Sequence, residues 1–325
     1  MIRALIRTVI NRPHRPSTRR SEQACMSFPR TRSRFGGFTL IELLVAISII
    51  GLLISILLPA LSTAKERGQE TKCRAHMRML GTAFMSYAQG NGDFLCSGSF
   101  DPDVANGRDG PVDQIGWVAD LVNLNIANPG QMLCPSNVAR YNQKLTYYSQ
   151  QEASDLVRRG YNTNYTQSWF MARTEWNPAS GDYNLKRVSS TIGALNLSSL
   201  KNVTADKVPL IGEGRTDNDE RVLGQRVVKS LTDGPQRGPY GIQSYADFGP
   251  AHGRGSWIGT DKQHNRIRAS VAFADGHCGY FEDRDRDGVF GISYATTPAS
   301  QKDLKDVFDG VLSFGRRSQD VWALR

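Results

Sequence analysis

The chain has 325 residues, 39% of them hydrophobic, and a formal net charge of +9. That length allows one sizeable core and excludes a minimal scaffold that depends on disulfide staples. The charge invites a nucleic-acid partner, but its distribution argues against one. Nine of the 40 Lys and Arg residues fall within residues 1–37 (Arg3, Arg7, Arg12, Arg15, Arg19, Arg20, Arg30, Arg32 and Arg34), with a single acid, Glu22. The remainder is nearly neutral. Composition therefore supports no basic nucleic-acid surface beyond the leader.

After the basic leader comes Gly36-Gly37 and then an apolar run, Phe38 to Leu61. Between Leu43 and Leu58 only Ser48, Gly51 and Ser55 interrupt Leu, Ile, Val and Ala. A helix of about 20 residues spans a hydrocarbon core of about 30 Å. No polar face appears, so a soluble amphipathic helix is excluded. A cleavable secretory signal would have a shorter apolar region with a small-residue cleavage site after it. Here the glycine pair precedes the run, so cleavage there would remove the arginines and keep the helix. Glu42 is the exception in the run. A carboxylate in a membrane span is costly unless paired. It sits near the helix N-terminus, where the macrodipole favours an anion. After cleavage behind Gly37, the new Phe38 amine would also offer it a counter-charge.

Gly37-Phe38-Thr39-Leu40-Ile41-Glu42-Leu43 resembles the processing site of type IV pilins and type II secretion pseudopilins. The resemblance implies that a prepilin peptidase cuts after Gly37 and methylates Phe38. It further implies that Glu42 sets register in a filament of pilin or pseudopilin subunits, built on an inner-membrane assembly platform. The leader is long for that family. Met26 would start a shorter one that still carries Arg30, Arg32 and Arg34. The arginines predict a cytoplasmic N-terminus and a head on the outer side of the membrane.

Pro59 lies near the outer end of the run and either bends the helix or marks its end. Beyond it, Cys73, Met77, Leu80, Phe84 and Tyr87 recur at helical spacing. They predict an amphipathic continuation that docks on a head and stops in Ala88 to Asp93. Lys72-Cys73-Arg74, Leu80-Gly81 and Leu133-Cys134-Pro135-Ser136 are similar to a bacterial subgroup of pseudopilin-like proteins. Trp117 to Ile126 reads as a short helix and Asn128-Pro129-Gly130 as a turn. Residues 136–207 read as loops with a few strands, rich in aromatic residues. Val208–Gly212 and Arg221–Val228 are strand candidates, and Ser230–Gly255 reads as a long surface loop.

Near the C-terminus, Ala269–Ala274 alternates as a strand with Val271 and Phe273 on one face. Asp275-Gly276 predicts a hairpin turn with positive φ at both positions. The context Phe273 to His277 resembles the tail signature of the same subgroup, a histidine, nine residues, then Asp-Gly. His264 is the corresponding histidine, but ten residues separate it from Asp275. Asp283, Asp285 and Asp287 followed by Gly288 match the opening of a calcium loop. Tyr294 stands where an EF-hand would have its glutamate. The family resemblance, in which major pseudopilins bind calcium in a C-terminal loop, points the same way.

The chain is not expected to be an enzyme. It has no Gly-x-Ser-x-Gly, phosphate loop or dinucleotide fingerprint. His252, His264, Asp275 and His277 match no zinc spacing, and no Cys-x-x-Cys occurs. Of five cysteines, Cys96 and Cys134 are the expected disulfide, with buried free thiols as the alternative. The expected architecture is α+β and pilin-like. It comprises a leader (1–37), a transmembrane segment (38–61), a stalk helix (62–89) and a head with antiparallel sheet (90–325). The expected function is a prepilin-like structural subunit of a pilus or secretion pseudopilus. The alternatives are a membrane-anchored adhesin or ligand-binding head, which the aromatic-rich middle favours, and an anchored enzyme.

Overall fold

A computed structural model describes residues 38–98, 110–172, 175–176, 191–200, 205–233, 245, 247–253, 266–283, 290, 307–308, 311–312 and 322–323. Its contacts divide the chain into two units, Met1–Ser55 and Ile56–Arg325. Helices are α1 (Leu40–Gly90), α2 (Trp117–Asn123), α3 (Gln150–Arg159) and α4 (Trp169–Ala172). Strands in chain order are β1 (Tyr141–Asn142), β2 (Tyr165–Gln167), β3 (Glu175–Trp176), β4 (Thr191–Ile192), β5 (Pro209–Glu213), β6 (Thr216–Val222), β7 (Gln225–Val228), β8 (Arg268–Phe273), β9 (Cys278–Glu282), β10 (Val307–Phe308), β11 (Val311–Leu312) and β12 (Trp322–Ala323). The class is α+β, as expected.

In the first unit, the apolar side chains of α1 are exposed. By length and composition the helix can cross a membrane. Its N-terminus is closed by a reciprocal pair. Glu42 Oε2 accepts from the Thr39 N–H at 2.9 Å and from the Thr39 hydroxyl at 2.8 Å, while the Glu42 N–H donates to Thr39 Oγ1 at 3.2 Å. This is a capping box, which satisfies backbone donors that have no intrahelical partner. α1 continues through Pro59, so the alternative of a helix end at that proline is overturned.

Within the second unit, α1 buries Cys73, Met77, Leu80, Gly81, Ala83, Phe84 and Ala88. Four of the five residues in the predicted stripe are therefore core; Tyr87 is half-buried. The main sheet is antiparallel, in the order β10-β9-β8-β5-β2. β8 sorts its side chains by the period of two expected of a strand. Ala269, Val271 and Phe273 join an aromatic cluster with Tyr245, Phe248, Phe281 and Phe290. Ala272 faces the other way, into the core that contains α1. On that face the Arg74 guanidinium lies 4.9 Å from the Tyr280 ring centre. The Cys278 thiol also reaches the Arg74 carbonyl. The sheet is thus a middle layer, with the helix on one side and aromatic rings on the other. Pro209 opens β5, the position in an interior strand where its missing N–H is best tolerated.

Four expectations need correction. α3 lies inside 136–207, where only loops and strands were expected. Ser149 and Glu152 form its capping box and Gly160, at φ 103°, ends it. Arg221–Val228 is not one strand. It contains the turn of the β6–β7 hairpin, where Leu223 and Gly224 both have positive φ. The Asp275-Gly276 turn has positive φ only at Gly276. Phe273 and His277 bracket a three-residue loop instead, with the Phe273 N–H bonded to the His277 carbonyl. Finally, Ser230–Gly255 is not simply a surface loop, because Tyr245, Phe248, Ala251 and His252 are buried.

Candidate functional site: the processing segment and a buried Cys-Cys-Glu-His cluster

Two regions carry chemistry. The first is the N-terminal segment. Gly37 lies just outside the described residues, while Phe38 and Glu42 lie within them and are exposed. The capping box holds Glu42 over the first turn, so its carboxylate sits four residues from the Phe38 backbone nitrogen. The box was legible in the sequence as Thr39-x-x-Glu42, a signature passed over in favour of the macrodipole.

The second region is a cluster in the head. Cys73 comes from α1, Cys134 from the segment before β1, Glu213 from the end of β5 and His252 from a bridge beside β8. All four are fully buried, and one ligand atom from each lies within 4.8 Å of all the others. Cys73 and Cys134 form a disulfide with Cα atoms 4.9 Å apart. The expected Cys96–Cys134 pairing is therefore wrong. Cys96 is a buried free thiol, close to the carboxylate-bearing segment of α2. Burial and then Asp120 push its pKa well up.

Around the disulfide the chain is held by its own polar groups. Asn164 Oδ1 accepts from the Cys134 N–H at 2.9 Å, and its amide donates back to the Cys134 carbonyl at 3.0 Å. Asn137 donates to the Gly214 carbonyl at 2.8 Å. Glu213 Oε2 accepts from the Ser270 N–H at 3.0 Å. Glu213 Oε1 is 2.5 Å from His252 Nε2 and 3.1 Å from Cys134 Sγ, and His252 Nε2 is 3.7 Å from the same sulfur. Burial works to lower the His252 pKa. The Glu213 charge and hydrogen bond outweigh it, and the net shift is upward. A fully buried ion pair costs several kcal/mol per ion in desolvation, which only close geometry offsets. Glu213 was not singled out in the sequence and His252 was set aside as a loop residue. A carboxylate closing the apolar strand Val208-Pro209-Leu210-Ile211-Gly212 was the available signal.

The remaining expected residues are scattered. His277 Nδ1 lies 2.6 Å from Asp275 Oδ1 at the exposed hairpin turn. Burial would raise the Asp275 pKa, but hydrogen bonds from the His277 N–H and ring outweigh it and lower it. His264 lies outside the described residues, as do Asp285 and Asp287. Asp283 is buried at the end of β9. Of the aromatic residues that favoured a ligand-binding head, Tyr161, Tyr165 and Trp169 are buried, Tyr148 is half-buried and Tyr147 is exposed.

With this geometry in place, the chain can be set beside known proteins. The family model for the prokaryotic N-terminal methylation motif covers residues 32–58. The chain thus carries that motif at its N-terminus, consistent with a type IV pilin- or pseudopilin-like protein. No curated protein and no solved structure matches the chain. The motif implies processing by a peptidase and assembly with pilin subunits. Together with the one helix among the described residues that is long and apolar enough to cross a membrane, it is consistent with a membrane-anchored protein.

Proposed function

We propose that this chain is a prepilin-like structural subunit that a prepilin peptidase cleaves after Gly37 and methylates at Phe38. Its subunits then assemble into a type IV pilus-like filament or a type II secretion pseudopilus on an inner-membrane platform. The role is mechanical rather than catalytic. Before cleavage, the arginine-rich leader keeps the N-terminus cytoplasmic and the head on the outer side. After it, Phe38 to Leu61 packs against the same segment of neighbouring copies, through close contacts of small and apolar side chains. The observation that carries this reading is the methylation motif over residues 32–58 running directly into an apolar helix with exposed side chains.

Glu42 provides the test. Glu42→Gln keeps an oxygen that can cap Thr39 but removes the charge, whereas Glu42→Ala removes both. If the carboxylate pairs with the Phe38 amine during assembly, both variants are processed, yet neither appears in sheared filament fractions. Glu42→Gln assembling like wild type would contradict the charge-pairing role and reduce Glu42 to a helix cap. Calcium bound at Asp283, Asp285 and Asp287 belongs to the same proposal. It predicts a higher melting temperature in calcium than in chelator, and an unchanged melting temperature would remove calcium from the account.

A further inference from the structure

The four buried residues Cys73, Cys134, Glu213 and His252 are more than a disulfide needs. A disulfide requires only its two cysteines, and its sulfurs are poor partners for a carboxylate and an imidazole. Yet Glu213 and His252 are carried to the sulfurs from two other segments and fully buried there. Two thiolates, one imidazole nitrogen and one carboxylate oxygen form a tetrahedral donor set suited to Zn(II). With zinc–ligand distances of about 2.0–2.3 Å, the four atoms would stand roughly 3.3–3.8 Å apart. Once the S–S bond is reduced, the sulfurs and the Glu213–His252 pair must move apart to reach that arrangement, starting from a cluster whose four atoms all lie within 4.8 Å of one another.

Glu213 and Cys134 are held as metal ligands commonly are, whereas His252 Nδ1 is buried without a hydrogen-bond partner. Glu213 uses its second oxygen to accept the Ser270 N–H, which leaves Oε1 turned toward the sulfurs and the imidazole. Asn164 clamps the backbone of Cys134 from both sides. Hydrogen bonds of this kind orient ligands around metals. Full burial leaves no open coordination position, so the site would be structural.

We propose that the dithiol form of this chain binds one Zn(II) through Cys73, Cys134, Glu213 and His252, and that oxidation to the disulfide excludes the metal. α1 would then be fastened to the head either by zinc or by the S–S bond. The proposal concerns the head and does not depend on cleavage or filament assembly. A newly made chain carries thiols, so zinc can load before any oxidant acts. In vitro the disulfide form is converted by a water-soluble phosphine. The phosphine takes oxygen from water and becomes its oxide, and the two electrons and two protons released turn the S–S bond into two thiols. Zinc displaces both thiol protons, which pass to the buffer.

The test uses the full chain in detergent, in oxidised form and after phosphine reduction with the phosphine then removed. Each sample is incubated with Zn(II) or Co(II), desalted without oxygen and analysed for bound metal. The expected result is about one ion per reduced chain and none per oxidised chain. Reduced protein with Co(II) should show thiolate-to-cobalt charge transfer in the near ultraviolet and the intense visible bands of tetrahedral cobalt. The Cys73→Ser/Cys134→Ser double variant should lose that binding, and Glu213→Gln should weaken it. Reduced wild type that keeps no metal would overturn the proposal. So would a cobalt spectrum without thiolate charge transfer, or a double variant that keeps as much zinc as wild type. Because Cys25, Cys96 and Cys278 are also thiols, the Cys25→Ser/Cys96→Ser/Cys278→Ser variant should keep the wild-type cobalt spectrum. Loss of thiolate charge transfer in that variant while it stays folded would overturn the assignment even if the Cys73/Cys134 variant fails to fold.

Discussion

Gly212 separates β5 from the aromatic cluster by the width of a missing methyl group. A Cβ there would lie 2.5 Å from the Phe248 ring, and Phe248 is itself fully buried. Gly212→Ala should therefore lower stability by about 1–3 kcal/mol, the usual cost of overpacking, as read by urea denaturation. Cysteine chemistry is equally local. Burial raises the pKa of both Cys96 and Cys278, so both thiols should resist alkylation in the native head. In denatured, unreduced protein, Cys96 and Cys278 should label while Cys73 and Cys134 label only after reduction. Labelling of Cys73 before reduction would contradict the disulfide. With ends 61 positions apart in the sequence, that bond should contribute about 4 kcal/mol in the chain-entropy account. Metal-free reduction should lower the midpoint accordingly.

At the scale of elements, α1 shows which patterns survive folding. Its stripe was legible because spacings of three and four place side chains on one face whatever they meet. Phe84 is fully buried and meets Trp117 edge-on at 5.8 Å, so Phe84→Ala should cost about 3–5 kcal/mol. The β8–β9 hairpin was legible too, since Val271 and Phe273 alternate with a turn pair after them. The turn type was not: Asp-Gly suits both a two-residue loop and the three-residue loop found here. α3 was missed because its surroundings are polar, although Ser149-x-x-Glu152 and Gly160 mark both ends. Its cap gives a pH prediction. Hydrogen bonds from the Ser149 hydroxyl and N–H lower the Glu152 pKa. Stability from this charge is present above the unfolded value of about 4.3 and is lost as pH falls through the folded value. The stability gap between wild type and Glu152→Gln should thus close in acid. The Cys-Cys-Glu-His cluster lay beyond reading. Its members are 61, 79 and 39 residues apart along the chain, and only the folded sheet gathers them.

For the whole molecule, the division of charge and apolarity along the chain matters more than any single site. Nearly all the basic excess lies before Phe38, an apolar helix follows, and a nearly neutral head closes the sequence. A leader that is removed explains why the charge is concentrated there. A retained leader would leave an ordinary single-pass anchor. The most direct measurement is the intact mass and N-terminal sequence of the protein isolated from its native cells. The account predicts a chain that begins at Phe38 and carries one added methyl group. A chain that still holds Arg30, Arg32 and Arg34 ahead of Gly37 would contradict it.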